Sequence, residues 1–251
     1  MLAALFCGWT AAALPFYPGG WPFGLALVAA VLSLLSARGG LAFALAVPIL
    51  PLGNISFGLA LLYAGVAAAW FALHLREPSA GLAFVLGPLL APLSALGLVP
   101  LLVQPVRSTW RRALGAGTAV LAAAIVAGVE NDPLPFGSKA FAPLRIQEGR
   151  SPFHVAAAMR HALVTHPAIA LEAIVLAVAA AAIPLARRFG LWGLAGYGAA
   201  TIAAGVLVAP HADPVPIVLT TWGTCVGVAL WDTRHAWIPR ARPLFAGLSS
   251  N

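Results

Sequence analysis

Residues 168–186 form a run of nineteen positions with a single charged side chain, Glu172, and four comparable runs occur at 55–75, 113–129, 191–209 and 215–230. A helix rises ~1.5 Å per residue and the hydrocarbon core of a bilayer is ~30 Å thick, so about 20 apolar residues carry a helix across. A soluble fold would need polar side chains to face water. With 61% hydrophobic and only 8% charged residues and a mean hydropathy of +0.95, this chain does not contain them. The expected fold class is therefore all-α, a polytopic transmembrane helix bundle forming one membrane domain over residues 1–251.

Shorter apolar segments at 1–14, 21–36 and 41–52 cross only with help from flanking residues or local thinning of the bilayer. Of these, 41–52 is the weakest. Segment 82–103 is long enough, but Gly87, Pro88, Pro92, Gly97 and Pro100 interrupt it. Proline removes a backbone donor, and broken helices persist at membrane depth only where protein or a cavity satisfies the freed groups. The reading is about eight spans plus a re-entrant hairpin at 82–103. It divides the domain into N-terminal helices with broken segments (1–129), an extracytoplasmic loop carrying an amphipathic helix (130–167), and three C-terminal spans with a short cytoplasmic tail (168–251).

Basic residues set the orientation. With 82–103 entering and leaving on one side, Arg38, Arg76, Arg107, Arg111, Arg112, Arg187, Arg188, Arg234, Arg240 and Arg242 share the cytoplasmic face. Lys139, Arg145, Arg150 and Arg160 then lie outside, in one loop. If 82–103 crosses instead, Arg38 and Arg76 move outside and the asymmetry weakens. Both termini are accordingly expected in the cytoplasm of a multi-pass cell-membrane protein. The block Gly40-Leu41-Ala42-Phe43-Ala44-Leu45 with Pro48 and Pro51 resembles Gly81-Leu82-Ala83-Phe84-Val85-Leu86 with Pro88 and Pro92. An internal repeat would start both segments on one face. Chance matching in a chain this rich in Ala, Leu, Gly, Phe and Pro is the alternative.

A net charge of +7 raises nucleic acid as a partner, but the basic residues form short clusters between apolar runs, with no basic face or RNA-binding signature. Membrane lipids are the expected partners, with a partner protein or a second copy as an open option. Cys7 and Cys225 stand alone in apolar runs and read as small buried hydrophobes, so neither a redox pair nor a metal or cofactor site is expected from them. The first basic residue is Arg38, which argues against a cleaved signal peptide at the N-terminus. Phe16, Tyr17 and Trp21 fit an interfacial belt, and Trp70, Trp110, Trp192, Trp231 and Trp237 fit anchors at helix ends.

Ser151-Pro152 is a helix start, and the stretch to His166 is amphipathic. At 100° per residue, Phe153, Val155, Ala156, Met159, Leu163 and Val164 share a broad side, with His154, His161 and Thr165 opposite. This suits a helix lying in the membrane interface, or a surface helix packed over the bundle. Glu172 is the acidic residue well inside an apolar run, where an ionisable group faces a partner or a hydrated cavity; the alternative is an interface-level carboxylate about one turn beyond Pro167. On the expected topology His154, His161, His166, Glu172, His211 and Asp213 all lie near the outer boundary. Imidazole with carboxylate suits metal binding or acid–base work, but no ligand spacing such as HExxH is present. Gly193, Gly196, Gly198 and Gly205, with Thr220, Thr221 and Thr224, suit close helix packing.

The broken segments, the repeat and Glu172 point to a permease-like protein or the membrane subunit of a transport system, for a neutral or lipophilic solute. The alternatives are an outer-leaflet enzyme acting on a lipid or lipid-linked substrate, and a non-catalytic scaffold or anchor. Convergence of His154, His161, Glu172 and Asp213 would favour the enzyme. A polar cavity reaching the midplane would favour transport.

Overall fold

The computed structural model describes residues 1–14, 16–130, 151–208 and 213–237, with the side chains of 129–130 and 232–237 outside that description. Lys139, Arg145, Arg150 and His211 lie outside the described residues, as do Arg240 and Arg242 and the side chains of Arg234 and Trp237. The described chain is all-helical: α1 (Leu2–Ala13), α2 (Trp21–Leu35), α3 (Ala37–Ala46), α4 (Ile49–Ile55), α5 (Phe57–Leu73), the short α6 (Pro78–Gly81), α7 (Leu86–Leu90) and α8 (Val99–Leu102), then α9 (Thr109–Glu130), α10 (Pro152–Thr165), α11 (Pro167–Arg188), α12 (Gly190–Val208) and α13 (Pro214–Trp237).

Five helical stretches are long and apolar enough to cross a membrane: Ala37–Ile55, Thr109–Gly128, Pro167–Arg188, Gly190–Val208 and Pro214–Trp231. The first corrects the sequence reading, in which 41–52 was the weakest segment. Helical backbone begins earlier, where the Ser36 hydroxyl accepts from the Gly39 amide, and runs through a kink at Val47-Pro48 to Ile55. Leu34, Trp192, Leu207 and Leu219 leave most of their surface uncovered by protein. So apolar an exterior, distributed over helices long enough to span, suits a lipid surrounding. The protein is an integral membrane helix bundle.

Two prolines inside helices explain two long-range bonds. Pro51 has no amide proton to give the Val47 carbonyl, and the Tyr17 hydroxyl donates to that carbonyl instead, at 2.8 Å. Pro184 likewise leaves the Ala180 carbonyl without its partner four residues on; Gln104 Nε2 donates to it at 3.2 Å and to the Pro100 carbonyl at 2.8 Å. Ala180 is fully buried, so water cannot take that role.

The stretch from Pro78 to Leu102 is no span-length helix. It breaks into α6, α7, α8 and three 3₁₀ turns (Leu82–Val85, Ala91–Leu93 and Leu96–Leu98), and Ser94 turns the backbone with φ +51°, the one positive φ at a non-glycine among the described residues. Its beginning and its end lie against one turn of α9: Ala83 and Val103 both approach Gly115, within reach of a methyl group placed there. Glu77, just before it, meets Arg111, just after it, in an ion pair of 2.8 Å without a well-aligned hydrogen bond. Between those points Gly87 touches the Ala119 backbone so closely that a Cβ has no room. Ala119 lies four residues beyond Gly115 on α9, about 6 Å at helical rise, so the segment runs along α9 and folds back to the turn from which it started.

Several of its carbonyls, freed by the breaks, are taken up by side chains from elsewhere in the bundle. Trp70 Nε1 donates to the Gly81 carbonyl and the Thr224 hydroxyl to the Gly97 carbonyl, each at 2.8 Å; just past the segment, Arg112 donates locally to the Val106 and Arg107 carbonyls. Trp70 is thereby half-buried against the bundle, its ring tilted at 37° to the buried His74 ring with 4.3 Å between centroids. Arg38 closes the same end by donating from Nε to the Leu75 carbonyl at 3.0 Å.

Candidate functional site

The turn at Ser94 ends beside Glu172. Ser94, Gly97, Glu172, Thr201, Gly205, Thr220 and Thr221 line one cavity of about 30 Å³, enough for one or two waters. Four elements supply it: the broken segment, α11, α12 and α13. Glycine is what allows them to converge. A Cβ on Gly97 would collide with the Thr220 hydroxyl, and one on Gly205 would press on Ile217 at 3.1 Å.

Glu172 is the sixth residue of α11, about 8 Å below its start at helical rise. It is 7% exposed to anything outside the protein, and its carboxyl has no hydrogen bond or ion pair to another described residue. Burying a carboxyl without a partner is costly. The nearby hydroxyls are partly committed: Thr201 donates to the Tyr197 carbonyl at 2.9 Å, and Thr220 to the Pro216 carbonyl at 2.6 Å. Thr221 is 2% exposed and lines the cavity beside the carboxyl. The site is thus a small apolar chamber with one carboxyl and several hydroxyls at its wall, under the turn of a broken helix.

The other residues marked in the sequence lie apart from it. His154 and His161 are exposed on α10, and His166 is half-buried at the junction of α10 with α11. Asp213 caps α13, its Oδ1 accepting from the Val215 amide at 3.0 Å. Among the described residues no three of His, Cys, Asp and Glu gather at metal-binding distance. His211 lies outside the described residues.

Helix α10 starts where expected, with Ser151 at its N-cap and Pro152 next, but the Ser151 side chain makes no capping bond. Val155 and Met159 pack on Leu52, Leu59 and Leu62 of the N-terminal helices, while Phe153, Leu163 and Val164 from the same broad apolar side stay exposed. The predicted packing threonines act differently from one another. Thr224 bonds the broken segment rather than a neighbouring span, Gly198 lies against the Cys225 sulfur, and Gly196 has nothing within 4 Å. Ser94, Gly97 and Thr201 were not singled out for chemistry in the sequence; the signal available for the first two was their place between Pro92 and Pro100.

A second cavity lies on the other side of the broken segment. About 140 Å³ in volume, it is lined by Phe6, Trp9, Thr10, Tyr63, Phe84 and the prolines Pro48 and Pro88, among others. The Thr10 and Tyr63 hydroxyls are buried there without a hydrogen-bond partner, each at a cost of ~1–3 kcal/mol if left unsatisfied. No protein-family model, curated protein or solved structure matches this chain.

Proposed function

We propose that the protein is permease-like, either alone or as the membrane subunit of a transport system, and passes a neutral solute carrying a hydrogen-bonding group on a mostly apolar frame. The observation that carries this reading is the unpartnered Glu172 carboxyl facing a cavity under the turn of a broken helix. Discontinuous helices at membrane depth place backbone and side-chain polar groups where a solute exchanges its water for protein. In this reading 78–103 re-enters the membrane from the cytoplasmic side, both termini are cytoplasmic, α10 lies in the outer interface, and the small cavity is the occluded form of the path. Scarcity of other buried charge favours a neutral solute over an ion.

The test uses proteoliposomes and stopped-flow light scattering, with a panel of small neutral solutes such as urea, glycerol and butanediols. At least one should enter faster than into protein-free liposomes. Glu172→Gln keeps volume but changes the hydrogen-bonding character, and should slow that entry about tenfold, the loss expected for one strong hydrogen bond. Equal rates with and without protein for every solute, or full activity in Glu172→Gln, would overturn the reading.

A further inference from the structure

The chamber beside the turn at Ser94 holds one group that can carry charge and several neutral oxygens, and their bonding limits what else can sit there. Glu172 is 7% exposed, and its carboxyl makes no bond to another described residue. Among the described residues no Lys, Arg or His lines the cavity, and no second carboxylate joins Glu172 in it. A carboxyl in such surroundings either pairs with a positive charge or takes up a proton. A protonated carboxyl is a hydrogen-bond donor and would be satisfied by donating to a neighbouring oxygen. The hydroxyls of Thr201, Thr220 and Thr221 line the same chamber, yet no such bond is formed. A space of about 30 Å³ lies among these groups instead, the room of one or two waters.

The oxygens around that space have acceptor capacity to offer. Thr201 and Thr220 give their protons to the Tyr197 and Pro216 carbonyls of their own helices, which leaves them lone pairs. The Thr221 hydroxyl, on a residue 2% exposed, has no hydrogen bond to a described residue and is free to turn its lone pairs inward. Acceptor oxygens around a carboxylate suit a cation, and the single negative charge sets its valence. A divalent ion would leave net positive charge against an apolar wall, and it takes more carboxylate or imidazole ligands than are present. We infer that the chamber binds one monovalent cation of about the size of water, an alkali ion or ammonium, on the Glu172 carboxylate with the Thr201, Thr220 and Thr221 oxygens as neutral ligands. Its binding needs no transport and so stands apart from the permease reading, although an ion that neutralises Glu172 suits the passage of a neutral solute beside it.

The test is thermal melting of the full chain in nanodiscs of zwitterionic lipid, with sodium, potassium or ammonium chloride each exchanged against choline chloride at fixed ionic strength. An ion that binds the folded state raises the midpoint, and the rise follows its binding curve. At least one of the three should do so at the expense of choline, which is too large for the chamber. Glu172→Gln should lose the ion dependence. Thr221→Val removes one ligand oxygen at nearly constant shape and should raise the ion concentration needed about tenfold, the loss of one bond to a charged group, while Thr221→Ser should restore it. The Thr221 pair leaves the carboxyl in place and decides the site if Glu172→Gln does not fold. No difference between choline chloride and any of the three salts, the result expected of a permanently protonated carboxyl, would overturn the inference. So would an ion effect that survives both Glu172→Gln and Thr221→Val, which would put the ion elsewhere, or an equal effect of calcium chloride at this site. The assay contains no solute: a cation effect with failed solute entry would sink the permease reading alone, and solute entry without a cation effect would sink the cation site alone.

Discussion

Replacing Gln104 by Leu tests whether a distant side chain compensates for the proline in α11. The substitution removes the donor to the Ala180 carbonyl, which Pro184 leaves without an amide, and to the Pro100 carbonyl. Ala180 is fully buried and Pro100 is buried, so neither carbonyl finds water. Hydrogen bonds between membrane helices average about 0.6 kcal/mol and reach about 1.7, and an orphaned buried carbonyl costs ~1–3 kcal/mol. Gln104 Oε1 also accepts from Arg112 Nη1 at 3.3 Å, so three bonds are lost and the fold should be destabilised by about 2 kcal/mol. Pro184→Ala restores a backbone amide for Ala180. In that background Gln104→Leu orphans the Pro100 carbonyl and the Arg112 donor but no longer the Ala180 carbonyl, and its cost should fall by about a third or more, a coupling within the range double-mutant cycles resolve. Unfolding in mixed micelles by added SDS, followed through the fluorescence of the eight tryptophans, measures all four proteins. An unchanged cost of Gln104→Leu in the Pro184→Ala background would refute the pairing.

Gly87→Ala should be strongly destabilising or fail to assemble, because its Cβ would strike the Ala119 backbone, whereas Gly196→Ala, with nothing within 4 Å, should melt within about 1 kcal/mol of wild type. Tyr17→Phe should lower stability by about 1 kcal/mol through the Val47 carbonyl that Pro51 orphans, in the same SDS titration. Glu77→Gln should cost no more than about 1 kcal/mol, since its pair with Arg111 is partly exposed, and the loss should shrink at high salt.

Much of this architecture was legible in the sequence because apolar run length sets helix existence directly. The runs at 113–129, 168–186 and 215–230 each lie within one helix, and the described part of 191–209 falls in α12. The prolines and glycines of 82–103 likewise announced broken backbone. Partnership across the fold was not legible. Nothing local in the sequence pairs Gln104 with Ala180, or Trp70 with Gly81; these bonds exist because a proline or a turn elsewhere creates an unmet carbonyl, and only the fold shows which side chain reaches it. Glu172 stood out as a charge in an apolar run, but its neighbours Ser94, Thr201 and Thr221 look ordinary in sequence. The histidines were grouped by their expected side of the membrane, which fixes depth and leaves lateral position open. In the fold His154 and His161 face outward on α10, and Asp213 is occupied as a helix cap.

The most direct test of the central claim is which face of the membrane each part of 78–103 sees. Single cysteines at Ser79, Ser94 and Pro105, placed in a Cys7→Ala, Cys225→Ala background, are probed in intact cells and inverted vesicles with a membrane-impermeant thiol reagent. Ser79→Cys and Pro105→Cys should both react from the cytoplasmic side, and Ser94→Cys should react slowly and be protected by a transported solute. Labelling of Ser79→Cys and Pro105→Cys from opposite sides would mean that the segment crosses the membrane, and would contradict the account.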